Sequence, residues 1–217
     1  NTLRNMTGSS FAGIDKDELF DVSPYVQATF EYFLRYPINQ DMGRKFKIAY
    51  SSSDKDSAYT FLHDIGFIPR IQNGERGFKV VVGGGLGAQP FMAFPVHEFL
   101  HEDLVIPFVE ACLRVFDRYG ERTRRNKARL KYLIKDIGIE KYMELVAIEQ
   151  KATKVKTFKI DTTKVNTGGP THNNIAPSVT IENEARYQDW LKTNVFEQKQ
   201  KGFYAVALKV TKGDIKP

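Results

Sequence analysis

The run Arg44-Lys45-Phe46-Lys47-Ile48-Ala49-Tyr50 constrains this chain more than any other stretch, because its polarity alternates residue by residue. Side chains along an extended strand point to opposite faces in turn. The spacing therefore predicts a β-strand with Phe46, Ile48 and Tyr50 on one side and Lys45, Lys47 and Ala49 on the other. The apolar side must be covered, which calls for a sheet packed against helices. The other side carries two ammonium groups, and two readings stand for it. One is a solvated outer face, where lysine is normally found; the other is a cationic floor for an anion. Arg4, a glycine cluster at 83–87 and a basic run at 122–131 keep the second reading in view.

Helices to cover that strand are signalled on both sides of it. Asp21-Val22-Ser23-Pro24 reads as a helix start, with Ser23 as cap and Pro24 at the first helical position. Val22, Val26, Phe30, Phe33 and Leu34 then recur at helical spacing as far as Pro37. Beyond the strand, 57–62 reads as a short helix. Residues 65–71 and 77–82 read as strands joined at Asn73-Gly74, a hairpin-turn pair. Pro90 and Pro95 predict irregular backbone. One helix is expected from near Glu102 through Val105, Val109, Cys112 and Phe116 to Gly120, and another on Leu130, Leu133, Ile134 and Ile137 to Gly138. A third covers 140–149. Lys, Thr, Asn, Gly and Pro dominate 151–180, which reads as a linker. A short helix at 184–191 and an alternating strand at 203–210 follow. The expected organisation is a domain at 1–150, the linker at 151–180 and the start of a second unit at 181–217. The fold class is α+β, a mixed β-sheet covered by helices followed by a piece of a second α+β unit.

Composition narrows the chemistry. Of 217 residues, 41% are hydrophobic and 27% charged, as in a globular domain, and no apolar run is long enough to span a bilayer. A start without Met and without a signal-type apolar segment leads to the expectation of a fragment or trimmed chain of cytoplasmic origin. Lys and Arg number 32 against 26 Asp and Glu, a net charge of +6 that suits nucleic acid, an acidic protein or an anionic cofactor alike. The single cysteine, Cys112, reads as a small core residue. One thiol excludes an internal disulfide, a thiolate zinc cage and a four-cysteine iron-sulfur site within these residues.

The glycines follow the apolar Val80-Val81-Val82, and Gly83 to Ala88 satisfies the permissive G-x-G-x-x-A dinucleotide pattern. Gln89-Pro90 forbids the helix that this fingerprint needs, so the match is rejected. A backbone nest for an anion and a plain flexible loop remain as readings. Arg122, Arg124, Arg125, Lys127, Arg129 and Lys131 form either a solvated helix entry or a phosphate-binding patch. His63, His97, His101 and His172 show no metal-ligand spacing and no nucleophile partner, so no metal site is expected.

Taken in order, several short stretches resemble the siroheme-dependent nitrite and sulfite reductase family. They are Leu3-Arg4-Asn5-Met6, the segment from Asp17 to Tyr25, Arg44-Lys45-Phe46-Lys47, His63-Asp64-Ile65-Gly66-Phe67, Val82 to Gly87 and Arg129-Leu130-Lys131-Tyr132. The resemblance covers about residues 1–150, one catalytic-domain half. Trp190, Asn194-Val195, Gln198, Gln200, Gly202-Phe203 and Lys212-Gly213-Asp214 resemble the opening of a second, ferredoxin-like half. The resemblance implies six-electron reduction of sulfite to sulfide or nitrite to ammonia, with siroheme coupled to a [4Fe-4S] cluster. It further implies an acidic electron donor such as ferredoxin or a flavoprotein subunit, and neither nucleic acid nor membrane as partner.

By motif position, Arg4, Lys45 and Lys47 correspond to the family's substrate-side cations. Arg4, Asn5, Arg44, Gly83, Gly84, Gly85, Arg125, Arg129 and Lys131 stand as candidates for holding siroheme carboxylates. The cluster cysteines of the family have no counterpart in this sequence. The expectation is therefore that the chain alone holds neither cofactor, is colourless and does not catalyse the reaction. The alternative from another class is a basic module that binds nucleic acid or an acidic electron-transfer protein.

Overall fold

The computed structural model describes residues 3–163 and 180–210, without the side chains of Leu3, Arg4 and Gln40. The chain divides into two compact units, one of Asn1–Gly13 with Asp17–Val165, the other of Ile14–Lys16 with Asn166–Pro217.

The larger unit is built on a five-stranded mixed sheet, in spatial order β1 (Leu3–Gly8), β2 (Phe46–Tyr50), β3 (Ile65–Gln72), β4 (Glu75–Val82) and β5 (Phe94–His101). The first three strands are parallel, and β3, β4 and β5 are antiparallel neighbours. Strand β2 forms where the alternation places it, with Phe46, Ile48 and Tyr50 fully buried. Tyr50 stacks on Phe67 at 4.7 Å between centroids, and Phe67 and Tyr25 meet Phe78 edge-on at 5.7 and 5.0 Å. Asn73 and Gly74 both take positive φ, 53° and 82°, the geometry that a tight two-residue hairpin turn requires.

Helices α1 (Ser23–Leu34), α2 (Val105–Tyr119), α3 (Leu130–Ile137) and α4 (Ile139–Ala152) complete this unit. Helix α2 is buried on nearly every side, which makes it the central helix of the core. Its buried Glu110 accepts hydrogen bonds from Tyr32 and Tyr36 and pairs with Arg114, so the one carboxylate in its middle is matched.

Several expectations are corrected here. Ser23 does not cap α1. It is the first helical residue, its N–H donates to Asp21 Oδ1 at 2.8 Å, and the buried stripe is Tyr25, Thr29 and Phe33, with Phe30 and Leu34 exposed. The stretch at 57–62 yields only a 3-10 turn at Thr60–Leu62. Pro95 does not keep 94–101 irregular, because β5 is an edge strand on which a missing N–H costs nothing. Strand β1 carried no strong periodicity and was not expected. The linker does not begin at 151, because α4 runs to Ala152 and the chain then folds back onto the unit. There the Phe158 N–H donates to the Asp103 carbonyl at 2.8 Å, its ring meets Tyr32 edge-on, and Ile160 is buried. The remainder of the expected linker, 164–179, lies outside the described residues.

The smaller unit holds α5 (Glu184–Asn194), capped by the Asn183 side chain, and a hairpin of β6 (Val195–Glu197) and β7 (Tyr204–Val206). The expected strand at 203–210 is thus shorter. Its alternating Tyr204, Val206, Leu208 and Val210 are all exposed, so burial does not extend the pairing beyond Val206. Lys212-Gly213-Asp214 lies outside the described residues.

Candidate functional site

The cationic side of β2 does face a cleft. About 390 Å³ in volume, it is lined by Lys45, Lys47, Tyr59, Leu62, His63, Leu86 and Arg129. Strand alternation places Lys45 and Lys47 on one face, and Arg129, immediately before α3, brings a guanidinium to the same space. Two neighbouring lysines and an arginine more than eighty positions further along the chain thus share one cavity.

Asp64 ties these walls together from below. Its side chain is 1% exposed, both carboxylate oxygens accept from Arg129 Nη2 at 3.1 and 3.0 Å, and Oδ2 accepts the Lys47 backbone N–H at 2.9 Å. Burial pushes the Asp64 carboxyl above the usual carboxylate range, while the Arg129 guanidinium and the Lys47 amide pull it back. The Arg129 Nε is buried without a hydrogen-bond partner, as is the Arg44 Nε.

The glycines set the close approach that this arrangement needs. A Cβ on Gly84 would lie 2.2 Å from the Phe61 carbonyl oxygen, and one on Gly85 would lie 3.1 Å from the Arg129 guanidinium. The segment at 83–85 therefore packs between two walls of the cleft. The Gly83 and Gly85 amides donate to the Asp64 and Phe91 carbonyls at 2.9 and 3.0 Å. The nest expected at Gly83, Gly84 and Gly85 is corrected accordingly, since these two amides are engaged within the protein. Close backbone packing accounts for glycine at 84 and 85.

The other expected residues are distributed as follows. Lys131 is buried and its ammonium donates to the Leu86 carbonyl at 3.2 Å and to the Gln89 carbonyl, with the Phe91 and Tyr132 rings 5.4 and 5.0 Å away. Burial, with Arg129 nearby, holds its pKa below the ordinary lysine value. Lys131 thus pins the loop after the glycines and does not line the cleft. Arg125 lies on an exposed 3-10 turn, also away from the cleft lining. Arg44 is half-buried beside Lys45, and Asn5 is exposed on β1 opposite Lys47. The backbone of Arg4 lies at the register shift between Leu3, paired with Phe46, and Asn5, paired with Lys47; its side chain lies outside the described residues. Within the basic run, Arg122 and Arg124 pair with Asp117 and Glu121, as charges on a solvated surface do.

Sequence reasoning gave no site role to four of the lining residues, Tyr59, Leu62, His63 and Leu86. Tyr59 adopts the left-handed conformation, φ 53° and ψ 49°, which costs a non-glycine residue about 1–2 kcal/mol. Its carbonyl accepts both the Leu62 N–H at 2.9 Å and His63 Nδ1 at 2.8 Å. No local pattern of residues announces that geometry. The only signal was His63 standing next to Asp64.

The donor set decides which cofactor these residues fit. Cys112 is fully buried in α2, and burial pushes its thiol up to about 12, so it does not supply a thiolate at neutral pH. Among the described residues no group of three or more His, Cys, Asp or Glu is placed to hold a metal ion. An iron-sulfur cluster therefore finds no ligands here. Carboxylates or a small oxyanion do find matching charge in Lys45, Lys47 and Arg129.

Comparison with known proteins gives the chain a family. Residues 1–156 match the family described as nitrite and sulphite reductase 4Fe-4S domain. The sequence is 36% identical over 148 residues to "Sulfite reductase [ferredoxin] 1" of Mycolicibacterium paratuberculosis, covering 67% of this chain and 26% of that protein. It is 34% identical over 145 residues to "Ferredoxin--nitrite reductase" of Leptolyngbya laminosa, covering 64% of this chain and 28% of the relative. The solved structure of Mycobacterium tuberculosis NirA protein superposes with a TM-score of 0.63 at 31% identity, covering 74% of this chain and 29% of that one. The chain thus spans about a quarter to a third of the length of these relatives. With its α+β fold and its sequence both matched, the chain belongs to the nitrite and sulfite reductase family.

Proposed function

We propose that this chain supplies the anion-gripping part of a siroheme-dependent reductase that converts nitrite to ammonia or sulfite to sulfide. The observation that carries the reading is the convergence of Lys45, Lys47 and Arg129 on one cleft. Nitrite and sulfite are small oxyanions, and their oxygens leave as water. A site for them must neutralise charge and deliver protons where the bond to oxygen breaks. Lys45 and Lys47 present ammonium groups that can hydrogen-bond such oxygens and donate to them. Arg129, held by Asp64, offers a guanidinium in a fixed position.

Siroheme, when bound, supplies the iron at which electrons reach the substrate. Its many carboxylates suit the same cations, with Arg44 and Arg4 as further candidates. The [4Fe-4S] cluster of the family is assigned no residue of this chain. A ferredoxin or flavoprotein donor is acidic, and the +6 charge suits its docking.

The test is anion binding to the purified chain by isothermal titration calorimetry. Sulfite and nitrite should bind in a salt-sensitive manner, and Lys45→Gln with Lys47→Gln should weaken binding at least about tenfold, the loss expected for two charge-assisted hydrogen bonds. Affinity unchanged in the double variant would refute the assignment of the cleft.

A further inference from the structure

We propose that His63 makes the cleft a proton-coupled site: an oxyanion entering beside Lys45, Lys47 and Arg129 brings a proton from solvent onto His63 Nε2, which then hydrogen-bonds the anion. The inference rests on the anion-binding reading above and goes further, by assigning a proton donor that charge counting alone does not reveal.

The geometry fixes the tautomer. A carbonyl oxygen only accepts, so the 2.8 Å contact with the Tyr59 carbonyl makes Nδ1 the donor. That leaves Nε2 as the nitrogen that gains or loses a proton. Tyr59 holds its carbonyl in this position through a left-handed backbone conformation, an outlier that sits in the cleft wall itself. Gly84 lets the backbone at 83–85 press against the Phe61 and His63 carbonyls, where a Cβ would come within 2.2 and 2.8 Å, so the segment carrying the ring is held from behind.

The charges facing His63 make proton and anion cooperative. Lys45 and Lys47 at β2 and Arg129 before α3 line the same cleft as His63 and oppose a further positive charge there, and the buried Asp64 carboxyl, which interacts with His63, offsets part of that opposition. Tyr59 meets the ring through its backbone carbonyl, and Lys131 lies behind the loop with its ammonium on the Leu86 and Gln89 carbonyls. An arriving anion reverses the balance and favours the imidazolium. Histidine is the side chain whose charge changes in the physiological pH range. In the reduction, whose oxygens leave as water, the proton on Nε2 would pass to an oxygen of the bound anion, and the neutral imidazole would be recharged from solvent.

Sulfate is the probe of choice, because it stays a dianion throughout this pH range. Calorimetric titration of the chain at pH 6.0 and 7.5, in buffers of different ionisation enthalpy, should show net proton uptake on binding. Affinity should be about three- to tenfold higher at the lower pH. His63→Gln should still bind sulfate but lose both the uptake and the pH dependence. His63→Lys, with a permanent charge, should bind at the high level at both pH values without uptake. Sulfate binding by the parent chain without proton uptake, or uptake that persists in His63→Gln, would overturn the role of His63 and leave the anion cleft standing. No sulfate binding at either pH would remove both.

Discussion

Arg129 Nη2 lies between the two carboxylate oxygens of Asp64, 3.1 and 3.0 Å from them, and the Asp64 side chain is 1% exposed. A buried ion pair contributes little over a well-packed apolar replacement, but removing one member strands the other charge. Asp64→Ala should cost about 3–5 kcal/mol of stability for that reason, and it also leaves the Lys47 amide without its side-chain acceptor. Urea unfolding checks this. Asp64→Asn combined with Arg129→Gln removes both charges, so the pair should recover much of the loss seen in either single variant. Losses that merely add would show that the two residues are not coupled.

Gly84 is the tightest point of the glycine segment, with the Phe61 carbonyl 2.2 Å from where a Cβ would sit. The obstacle is backbone and cannot rotate away. Gly84→Ala should destabilise the fold by about 1–3 kcal/mol, the range for overpacking, and should weaken anion binding as the segment bearing His63 is displaced. Leu86→Ala, at an exposed position of the same loop, should leave stability nearly unchanged. Thermal unfolding of the two variants side by side separates packing from loop composition.

The parts legible in the sequence were those with local causes. Strand β2 follows from alternation, the β3–β4 turn from Asn73-Gly74, and the ends of α2 and α3 from Gly120 and Gly138. Lys45 and Lys47 reach one cleft for the same local reason. Arg129 and Lys131 belong to one basic run, yet one lines the cleft and the other is buried under a loop; only tertiary packing separates them. Edge strands β1 and β5 were hidden because their stability comes from pairing with β2 and β4. Phe158 was lost in a polar composition although it packs on Tyr32. His63 was visible in the sequence but carried no site role there, because the contact that holds its ring depends on a left-handed Tyr59, which no propensity announces.

Alkaline titration should report on the network around Glu110. The Tyr32 and Tyr36 hydroxyls both donate to this buried carboxylate, and burial, with Glu110 adding to it, pushes each phenol up to about 12. The folded value lies above the unfolded value of about 10, so the stabilisation is complete below that pH and is lost as pH rises from about 10 towards 12. The midpoint of thermal unfolding should fall across this window. Tyr36→Phe should flatten the fall. Tyrosinate absorbance of the folded chain should show a late-titrating fraction that Tyr36→Phe reduces.

Cys112 offers a direct check on which chemistry this chain can host. It sits fully buried in α2, where burial raises its thiol to about 12. Tyr142, from α4, donates to the Cys112 carbonyl at 3.0 Å and helps hold the helix in place. Both metal ligation and attack on a disulfide reagent require the thiolate. At pH 8 the folded chain should therefore be silent to Ellman's reagent and release one equivalent of chromophore only on unfolding in guanidinium chloride. Anaerobic incubation with ferrous iron and sulfide should likewise give the chain no visible cluster absorption, since a lone inaccessible thiol cannot replace four thiolates. Rapid labelling of the folded protein would mean that α2 is not the closed centre of the core, and the burial on which β2 and the cleft depend would have to be abandoned with it.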